Sequence, residues 1–268
     1  MSEELREWRE KNLNSISCSF CAAKWYNASL HLGHGFTNSC HLPLPHPIDL
    51  EEIKTNPSAL HNTKHKKEMR RMMLTGIKPA ECSYCWKIED IGRGNISDRV
   101  YKSQIYKEDI AALKDIPWDQ DIPLKTVEIS FDRICNFACS YCNSGYSTTW
   151  GKDIRNNGAY QKFKTSSAGA YYADGSWSEV YGKYGEDNPY VKAFLDWWPE
   201  LSQTLEEIRI TGGEPSQSHN FWQFMELMKK HPAKNLRLAI NSNLGLNEAT
   251  VQKLIDITKE VEVKEFDI

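Results

Sequence analysis

The sequence feature that most constrains this chain is a short apolar segment followed closely by three cysteines. Residues 127–131 alternate apolar and polar side chains, which predicts a short β-strand. Cys135, Cys139 and Cys142 come next, with the spacing C-x3-C-x2-C. Three thiolates on one loop at the end of a strand can converge on a single inorganic centre, so we expect the rest of the fold to hold this loop.

The number of cysteines in this loop indicates the type of centre. Iron in a [4Fe-4S] cluster normally takes one thiolate per iron, so three cysteines hold three irons and leave the fourth open to a substrate or cofactor. Structural zinc, the alternative, requires four closed ligands. The sequence offers no fourth cysteine or histidine nearby. The loop therefore favours a cluster with one open iron.

An aromatic residue, Tyr141, stands directly before the last cysteine of the loop. A C-x3-C-x2-C loop with this aromatic, placed after a first strand, resembles the signature of the radical S-adenosylmethionine (radical SAM) enzymes. The resemblance implies that the open iron binds the amino and carboxylate groups of SAM. One electron, from a donor such as a flavodoxin or ferredoxin, then cleaves SAM to methionine and a 5'-deoxyadenosyl radical, which abstracts hydrogen from the substrate.

A second motif ends the next predicted strand, at residues 205–211. Gly212, Gly213, Glu214 and Pro215 would by themselves predict only a turn. One strand after the three-cysteine loop, they resemble the GGEP element with which radical SAM enzymes contact the amino end of SAM. We expect the glycines to let the backbone approach the ligand, and the carboxylate of Glu214 to pair with its ammonium group.

Polar residues also follow the third predicted strand, at residues 236–240. Asn241, Ser242 and Asn243 occupy a position where relatives contact SAM or the substrate. We therefore expect Asn241 and Asn243 to bind the cofactor together with Tyr141, although a polar strand end is common in any case. The sequence assigns no catalytic side chain.

The first part of the chain contains the other cysteines: Cys18, Cys21, Cys40, Cys82 and Cys85. Two C-x2-C pairs predict a metal centre, because packing alone gives no reason for paired spacing. A zinc ion bound by both pairs, which excludes Cys40, fits the spacing. His41, which directly follows Cys40, is a further candidate ligand.

The surroundings of these cysteines favour a different ligand set. Residues 20–25 (FCAAKW) and 73–86 (MLTGIKPAECSYCW), followed by Glu89 and Arg99, resemble the twitch (half-SPASM) module of some radical SAM proteins. That module holds a second iron-sulfur cluster. The ligands that this resemblance implies are Cys21, Cys40, Cys82 and Cys85, and Cys18 is left as a spare or alternate.

A proline-punctuated acidic linker, residues 115–123 (DIPWDQDIP), predicts a domain boundary. We expect a Cys/His-rich domain at 1–115 and a radical SAM core at 116–268. Alternating strands and helices in the core predict an α/β fold with a parallel sheet and sites at the C-terminal ends of its strands. Four strands are predicted, against about six strand-helix units in the family. We therefore expect an incomplete barrel, truncated at its C-terminus and inactive if essential parts are missing.

Two further segments carry predictions of their own. The basic run at residues 64–71 (KHKKEMRR) predicts a helix with a solvated basic face. Residues 143–188 are rich in glycine, serine and tyrosine and show little helical periodicity. We expect this long segment to cover the cofactor or touch the substrate, with a disordered insertion as the alternative.

Composition narrows the partners. A formal net charge of -3 gives no electrostatic reason to expect nucleic acid. The first residues, MSEELREWREKNL, carry charge where a signal peptide would be apolar, and no stretch of eighteen apolar residues occurs. We therefore expect a cytoplasmic protein without a membrane segment, whose cysteines bind metal rather than form disulfides.

Two functions follow from these predictions. The first is a radical SAM enzyme with an auxiliary cluster; since such clusters in relatives often accompany peptide or protein modification, the resemblance implies a peptide substrate. The second is a non-catalytic module that binds zinc in its N-terminal part and carries an inactive barrel remnant.

Overall fold

A computed structural model describes residues 2–92, 94–160 and 187–268. The α-helices in this part of the chain are α1 (Ser2–Arg9), α2 (Ala23–Tyr26), α3 (Leu50–Thr55), α4 (Lys64–Leu74), α5 (Ser83–Asp90), α6 (Asp98–Gln104), α7 (Ile110–Leu113), α8 (Thr148–Asn157), α9 (Pro189–Leu201), α10 (His219–Lys230) and α11 (Glu248–Glu260). The strands are β1 (Asn27–His31), β2 (Phe36–Asn38), β3 (His46–Pro47), β4 (Thr126–Ser130), β5 (Glu207–Thr211), β6 (Ala233–Ile240) and β7 (Val263–Asp267).

The strands form a seven-stranded sheet in the order β3-β2-β1-β4-β5-β6-β7. Strands β5 and β6 run parallel, with Ile208 opposite Leu238, and β6 and β7 also run parallel, with Leu238 opposite Phe266. Helix α10 connects the first of these pairs and α11 the second. The predicted α/β class is confirmed at this level: the sheet is mostly parallel, and helices connect its parallel strands.

The chain divides into two compact units, Met1–Ser29 with Thr37–Thr126, and Leu30–Phe36 with Val127–Ile268. The sequence prediction placed the division after residue 115 and did not foresee that residues 30–36 would join the second unit. In β1, polar residues alternate with apolar ones, and this pattern does not indicate which unit the strand belongs to.

Side-chain caps start the helices of the second unit. Asn188 accepts hydrogen bonds from the backbone N–H groups of Tyr190 and Val191 at the start of α9. Ser218 caps α10 and Asn247 caps α11 in the same way. At each of these positions a short polar side chain satisfies N–H groups that have no partner within the helix.

Aromatic side chains pack the helices of this unit onto β4. The ring of Phe131, directly after the strand, lies 5.9 Å from that of Phe194 and 5.6 Å from that of Phe224. Trp198 meets Phe224 edge to face at 4.7 Å. Val127, like these rings, is buried. The core therefore fixes the end of β4, where the cysteine loop begins.

Helix α4 of the first unit confirms the helix predicted over the basic run. Its predicted solvated face includes Lys64, which is exposed, but is wrong for two of the basic residues. Lys66 and Arg70 are completely buried. Arg70 donates to the amide oxygen of Asn62 (3.0 Å) and to the carbonyl oxygen of Lys24 (3.2 Å). The partners that make this burial favourable lie far along the chain or in an adjoining turn, so a local charge pattern could not reveal them.

Helix α8 lies within the segment predicted to lack helical structure, so that part of the prediction is wrong. Ser147 caps it by accepting from the N–H of Trp150. The hypothesis that this segment covers the cofactor falls largely on residues 161–186, which lie outside the described residues.

Among the described helices, none is both long and apolar enough to pass through a membrane. Helices α9 and α11 have 13 residues each, short of the roughly 20 apolar residues that a membrane-spanning helix needs.

Candidate metal centres

The first turn of α8 anchors the three-cysteine loop. The backbone N–H of Cys135 donates to Thr148 Oγ1 (3.1 Å), and the hydroxyl of Thr149 donates to the carbonyl oxygen of Cys135 (2.7 Å). Trp150 Nε1 donates to the carbonyl oxygen of Cys139 (2.9 Å). These anchors hold the backbone at two of the three cysteines and leave the sulfurs available as ligands.

The two glycines of the second motif make room for this loop. A Cβ on Gly213 would lie 2.1 Å from the carbonyl oxygen of Ile134, and one on Gly212, whose φ is +124°, would lie 2.6 Å from that of Asp132. The N–H of Glu214 donates to Ile134 O at 2.7 Å. The sequence predicted that these glycines allow the backbone to approach a ligand; the approach that the structure shows is to the residues just before Cys135.

Glu214 is 1% exposed and its carboxylate is hydrogen bonded on both oxygens. Oε1 accepts from the N–H (3.2 Å) and hydroxyl (2.6 Å) of Ser216 and from the hydroxyl of Ser242 (2.9 Å). Oε2 accepts from the N–H of Asn243 (2.7 Å). A buried carboxylate with this many donors stays in one position. Pro215, next to it, is buried and begins a 3-10 turn, Pro215–Gln217.

Asn243 joins the carboxylate to the cysteine loop. Its Nδ2 lies 3.8 Å from Cys135 Sγ and donates to Asn136 Oδ1 at 3.0 Å. Leu244, next to it, has a φ of 51°, an uncommon conformation for a residue with a Cβ and one often found at functional sites. Asn241, predicted to act with Asn243, is exposed, and its N–H continues the ladder to Ile210.

The sulfurs of this loop are half-buried, while Tyr141 beside them is 87% exposed. A hydrogen bond to the Cys139 thiol, together with the charge of that group, raises the pKa of Tyr141. Burial raises the pKa of Cys142, and the Cys135 and Cys139 thiols add to the rise. The three sulfurs are therefore close enough to influence one another, and the loop remains accessible from solvent.

In the first unit, the structure brings four cysteines around one cavity. Its empty space is about 350 Å³, part of it open to solvent. The apolar part of the wall includes Met73 and Trp86. The cysteines are Cys21, Cys40, Cys82 and Cys85. Cys18 is exposed and lies outside this set, with its Sγ 3.6 Å from the carbonyl oxygen of Gly76.

Cationic side chains accompany these four thiols. Lys24 is completely buried and ion-paired with Glu81. Burial lowers the pKa of Lys24, but the Cys82 and Glu81 charges outweigh burial, and the net pKa is raised. Arg99 lines the cavity and is paired with Glu89 at 2.7 Å. Such charges stabilise the negative charge that four thiolates bring to a metal centre.

Burial favours the protonated form of three cavity thiols, those of Cys40, Cys82 and Cys85. It raises the pKa of Cys82 to about 12 and that of Cys85 to about 11. The pKa of Cys40 is also raised, again chiefly by burial. A metal centre must displace these protons, since the thiolate is the ligand.

The distance between the ligand sulfurs differs between a single zinc ion and an iron-sulfur cluster. Zinc holds each thiolate sulfur at about 2.3 Å, which brings the sulfurs within roughly 4 Å of one another. Across the described residues, the group whose ligand atoms all lie within 4.8 Å of one another is His46, His65 and Glu81, without any cysteine. Thiols bound to separate irons of a cluster stand farther apart. Among the described residues, no three cysteine sulfurs lie within 4.8 Å of one another.

Comparisons of the chain with protein-family models, with curated proteins and with solved structures give no match.

Proposed function

We propose that this chain is a radical SAM enzyme. The observation that carries the proposal is the connection between its two motifs: Glu214 is hydrogen bonded to Asn243, and Asn243 contacts Cys135. Two segments that are distant in sequence, each resembling a radical SAM motif, thus meet at one place. When bound, the [4Fe-4S] cluster and SAM supply the 5'-deoxyadenosyl radical for hydrogen abstraction.

The three-cysteine loop would hold the cluster, because its donor set of three half-buried thiols leaves one iron without a protein ligand. The chain's own contribution to SAM binding comes from Glu214. Each oxygen of a carboxylate has about two acceptor positions. Three donors occupy Oε1 and one occupies Oε2, so Oε2 keeps an acceptor position for an ammonium group. Burial strengthens such a charge-assisted hydrogen bond.

The parallel strands β5, β6 and β7, with α10 and α11 between them, support a partial (βα) barrel as the fold of this core. In such a fold the ligand lies beyond the carboxyl ends of the strands. The cysteine loop follows β4, the glycines follow β5 and Asn243 follows β6. The cysteine loop, the glycines and Asn243 therefore each follow the carboxyl end of a strand, as this fold requires of residues that contact the ligand.

The proposal includes a second iron-sulfur cluster in the four-thiol cavity, held by Cys21, Cys40, Cys82 and Cys85. It also includes a peptide substrate, a flavodoxin-like or ferredoxin-like electron donor, and a cytoplasmic location, since thiol ligands need a reducing compartment. The zinc-binding, non-catalytic module is the competing function, and one experiment separates the two.

The test is anaerobic reconstitution of the full chain with iron and sulfide, followed by reduction in the presence of SAM. We expect about eight irons per chain, as two four-iron clusters require, and release of 5'-deoxyadenosine measured by mass spectrometry. Tightly held zinc, no iron uptake and no cleavage of SAM would contradict the proposal.

A matched pair of variants assigns the result to the loop. Replacing Cys135, Cys139 and Cys142 together by Ala should abolish 5'-deoxyadenosine and leave about four irons. Cys18→Ala, which changes a cysteine outside the cavity, should leave both readouts unchanged.

A further inference from the structure

A group of ligand side chains without cysteine lies in the first unit. The ligand atoms of His46, His65 and Glu81 are all within 4.8 Å of one another. Two imidazoles and one carboxylate are a donor set that suits Zn²⁺ and Fe²⁺. None of the three residues belongs to the cysteine sites described above.

Three separate elements bring these ligands together. His46 is in β3, His65 is in the first turn of α4, and Glu81 is in a 3-10 turn, Ala80–Cys82. The imidazole rings of the two histidines lie 4.1 Å apart, centroid to centroid. Side chains so far apart in sequence are held close by the fold of the unit, which lowers the entropy lost when an ion orders them.

Hydrogen bonds orient the ligands. Nε2 of His46 lies 2.9 Å from Thr63 Oγ1, which fixes the ring and leaves its other nitrogen for a ligand. Nε2 of His65 lies 2.5 Å from Oε2 of Glu81. An ion that binds between this nitrogen and this oxygen takes the place of the shared proton, which is released to solvent.

We propose that His46, His65 and Glu81 form a binding site for one divalent transition-metal ion of the Zn²⁺ or Fe²⁺ type. Three protein ligands leave a position for water, as in zinc sites that are not purely structural. His65 is half-exposed, so the ion has access from solvent.

The neighbouring lysine limits the affinity of this site. Lys24 is paired with Oε1 of Glu81, so the ion binds Oε2 and shares the carboxylate with an ammonium group. Burial, followed by the proximity of Lys66, lowers the pKa of His46 to about 3. The site should therefore bind an ion reversibly and more weakly than a closed four-ligand zinc site.

Cobalt is the probe, because its absorption spectrum distinguishes thiolate from nitrogen and oxygen ligands. The full chain, its His65→Ala variant and its His219→Ala variant are titrated anaerobically with Co²⁺ after cluster reconstitution. His219, exposed at the start of α10, is the matched control. We expect wild type and His219→Ala to bind about one more Co²⁺ per chain than His65→Ala, with visible bands but no thiolate charge-transfer absorption in the difference spectrum.

Equal Co²⁺ binding by wild type and His65→Ala, or a thiolate band in their difference spectrum, would overturn the proposal. Lys24→Met gives a second test with the opposite sign: removal of the competing ammonium group should tighten Co²⁺ binding several-fold. Unchanged or weaker binding in a folded Lys24→Met protein would also overturn it. The readout is independent of SAM cleavage, so failure of the radical SAM proposal leaves it intact.

Discussion

The two groups of cysteines in this molecule differ in how the chain presents them. Three belong to one loop that follows β4, and hydrogen bonds from α8 fix its backbone. The cavity of the first unit draws its four from separate segments, at Cys21, at Cys40 and at residues 82–85. Ligands from one contiguous loop can hold a metal centre at the surface, whereas ligands from several segments surround the metal centre that they bind.

Charge and burial differ in the same direction. Beside the loop stand exposed aromatic side chains, Tyr141 and Phe137. Beside the cavity stand the paired cations Lys24 and Arg99. An accessible three-thiol loop suits a centre that exchanges a small ligand. The four-thiol site is called the closed centre here because separate segments surround it, although part of its cavity is open to solvent; its charge compensation suits a centre that stays bound.

Crossed cysteine variants test this difference with the largest expected effect. Cys139→Ala should abolish 5'-deoxyadenosine formation and lower the iron content from about eight to about four per chain. Cys82→Ala should lower the iron content by the same amount but retain SAM cleavage, because its thiol belongs to the closed centre. Iron analysis and product assay after reconstitution check both.

The informative failure is a Cys82→Ala protein that keeps its loop cluster, seen by its electron paramagnetic resonance signal, yet no longer cleaves SAM. The cavity would then take part in SAM cleavage, and the division into an open and a closed centre would be wrong.

The second-largest expected effect comes from the close contact between Gly213 and the backbone of the three-cysteine loop. Gly213→Ala places a Cβ 2.1 Å from the carbonyl oxygen of Ile134. We expect the free energy of unfolding to fall by about 3 kcal/mol and the loop to lose its cluster. Gly92→Ala is the control: its Cβ would meet nothing within 4 Å, and only its φ of +78° is unfavourable, which costs about 1 kcal/mol. Urea denaturation measures both, and equal losses would show that the loop tolerates the contact.

Residue patterns predicted much of the fold of the second unit, because its determinants are local. Alternation predicted β4. The starts of three helices are equally local, since Asn188, Ser218 and Asn247 are residue types that favour a helix start. Spacing indicated the three cysteines of the loop and three of the four cavity cysteines, whereas Cys40 was included only because of the resemblance to the twitch module. A glycine pair at a strand end likewise indicated a close approach, but not which group approaches.

The remaining features depend on partners that spacing does not identify. Ser216 and Ser242 donate to Glu214, and only the fold brings the second of them there. Ser216 could have been found, since a side-chain acceptor two residues before an N–H is a common turn. Lys66 in α4 was predicted to be solvated and is buried, because its neighbours come from other segments.

The third effect is the loss of one charge from the network that joins the two motifs. Glu214→Gln places an NH2 group where the carboxylate accepts hydrogen bonds from Ser242 or Asn243. That contact exists with and without SAM, so it lowers stability rather than affinity. The neutral amide also cannot make the charge-assisted hydrogen bond to the ammonium group of SAM, a loss of about 2 kcal/mol, so the Kd for SAM should rise roughly thirtyfold. Equilibrium binding to reconstituted protein measures it. Glu128→Gln, on the exposed face of β4, is the control, and an unchanged Kd in Glu214→Gln would remove this residue from the site.

The smallest effect is a pH dependence of the metal-free cavity. Burial raises the pKa of Cys82 from 9.0 to about 12. Between these values the unfolded chain loses the thiol proton and the folded chain keeps it. The stability that this thiol contributes is therefore complete below pH 9 and is lost as the pH rises towards 12. At pH 10 the loss is about 1.4 kcal/mol.

Urea denaturation of the metal-free protein at pH 8 and pH 10, with Cys82→Ala as the control, isolates this contribution. Lysines and tyrosines ionise in the same range in both proteins, so their effect cancels in the difference, and the wild type should lose about 1.4 kcal/mol more than the variant. An equal loss would mean that the thiol is already solvated when no metal is bound. The cavity would then exclude water only when its metal centre is bound. The difference in burial between the cavity and the three-cysteine loop would exist only in the protein that contains its metal centres.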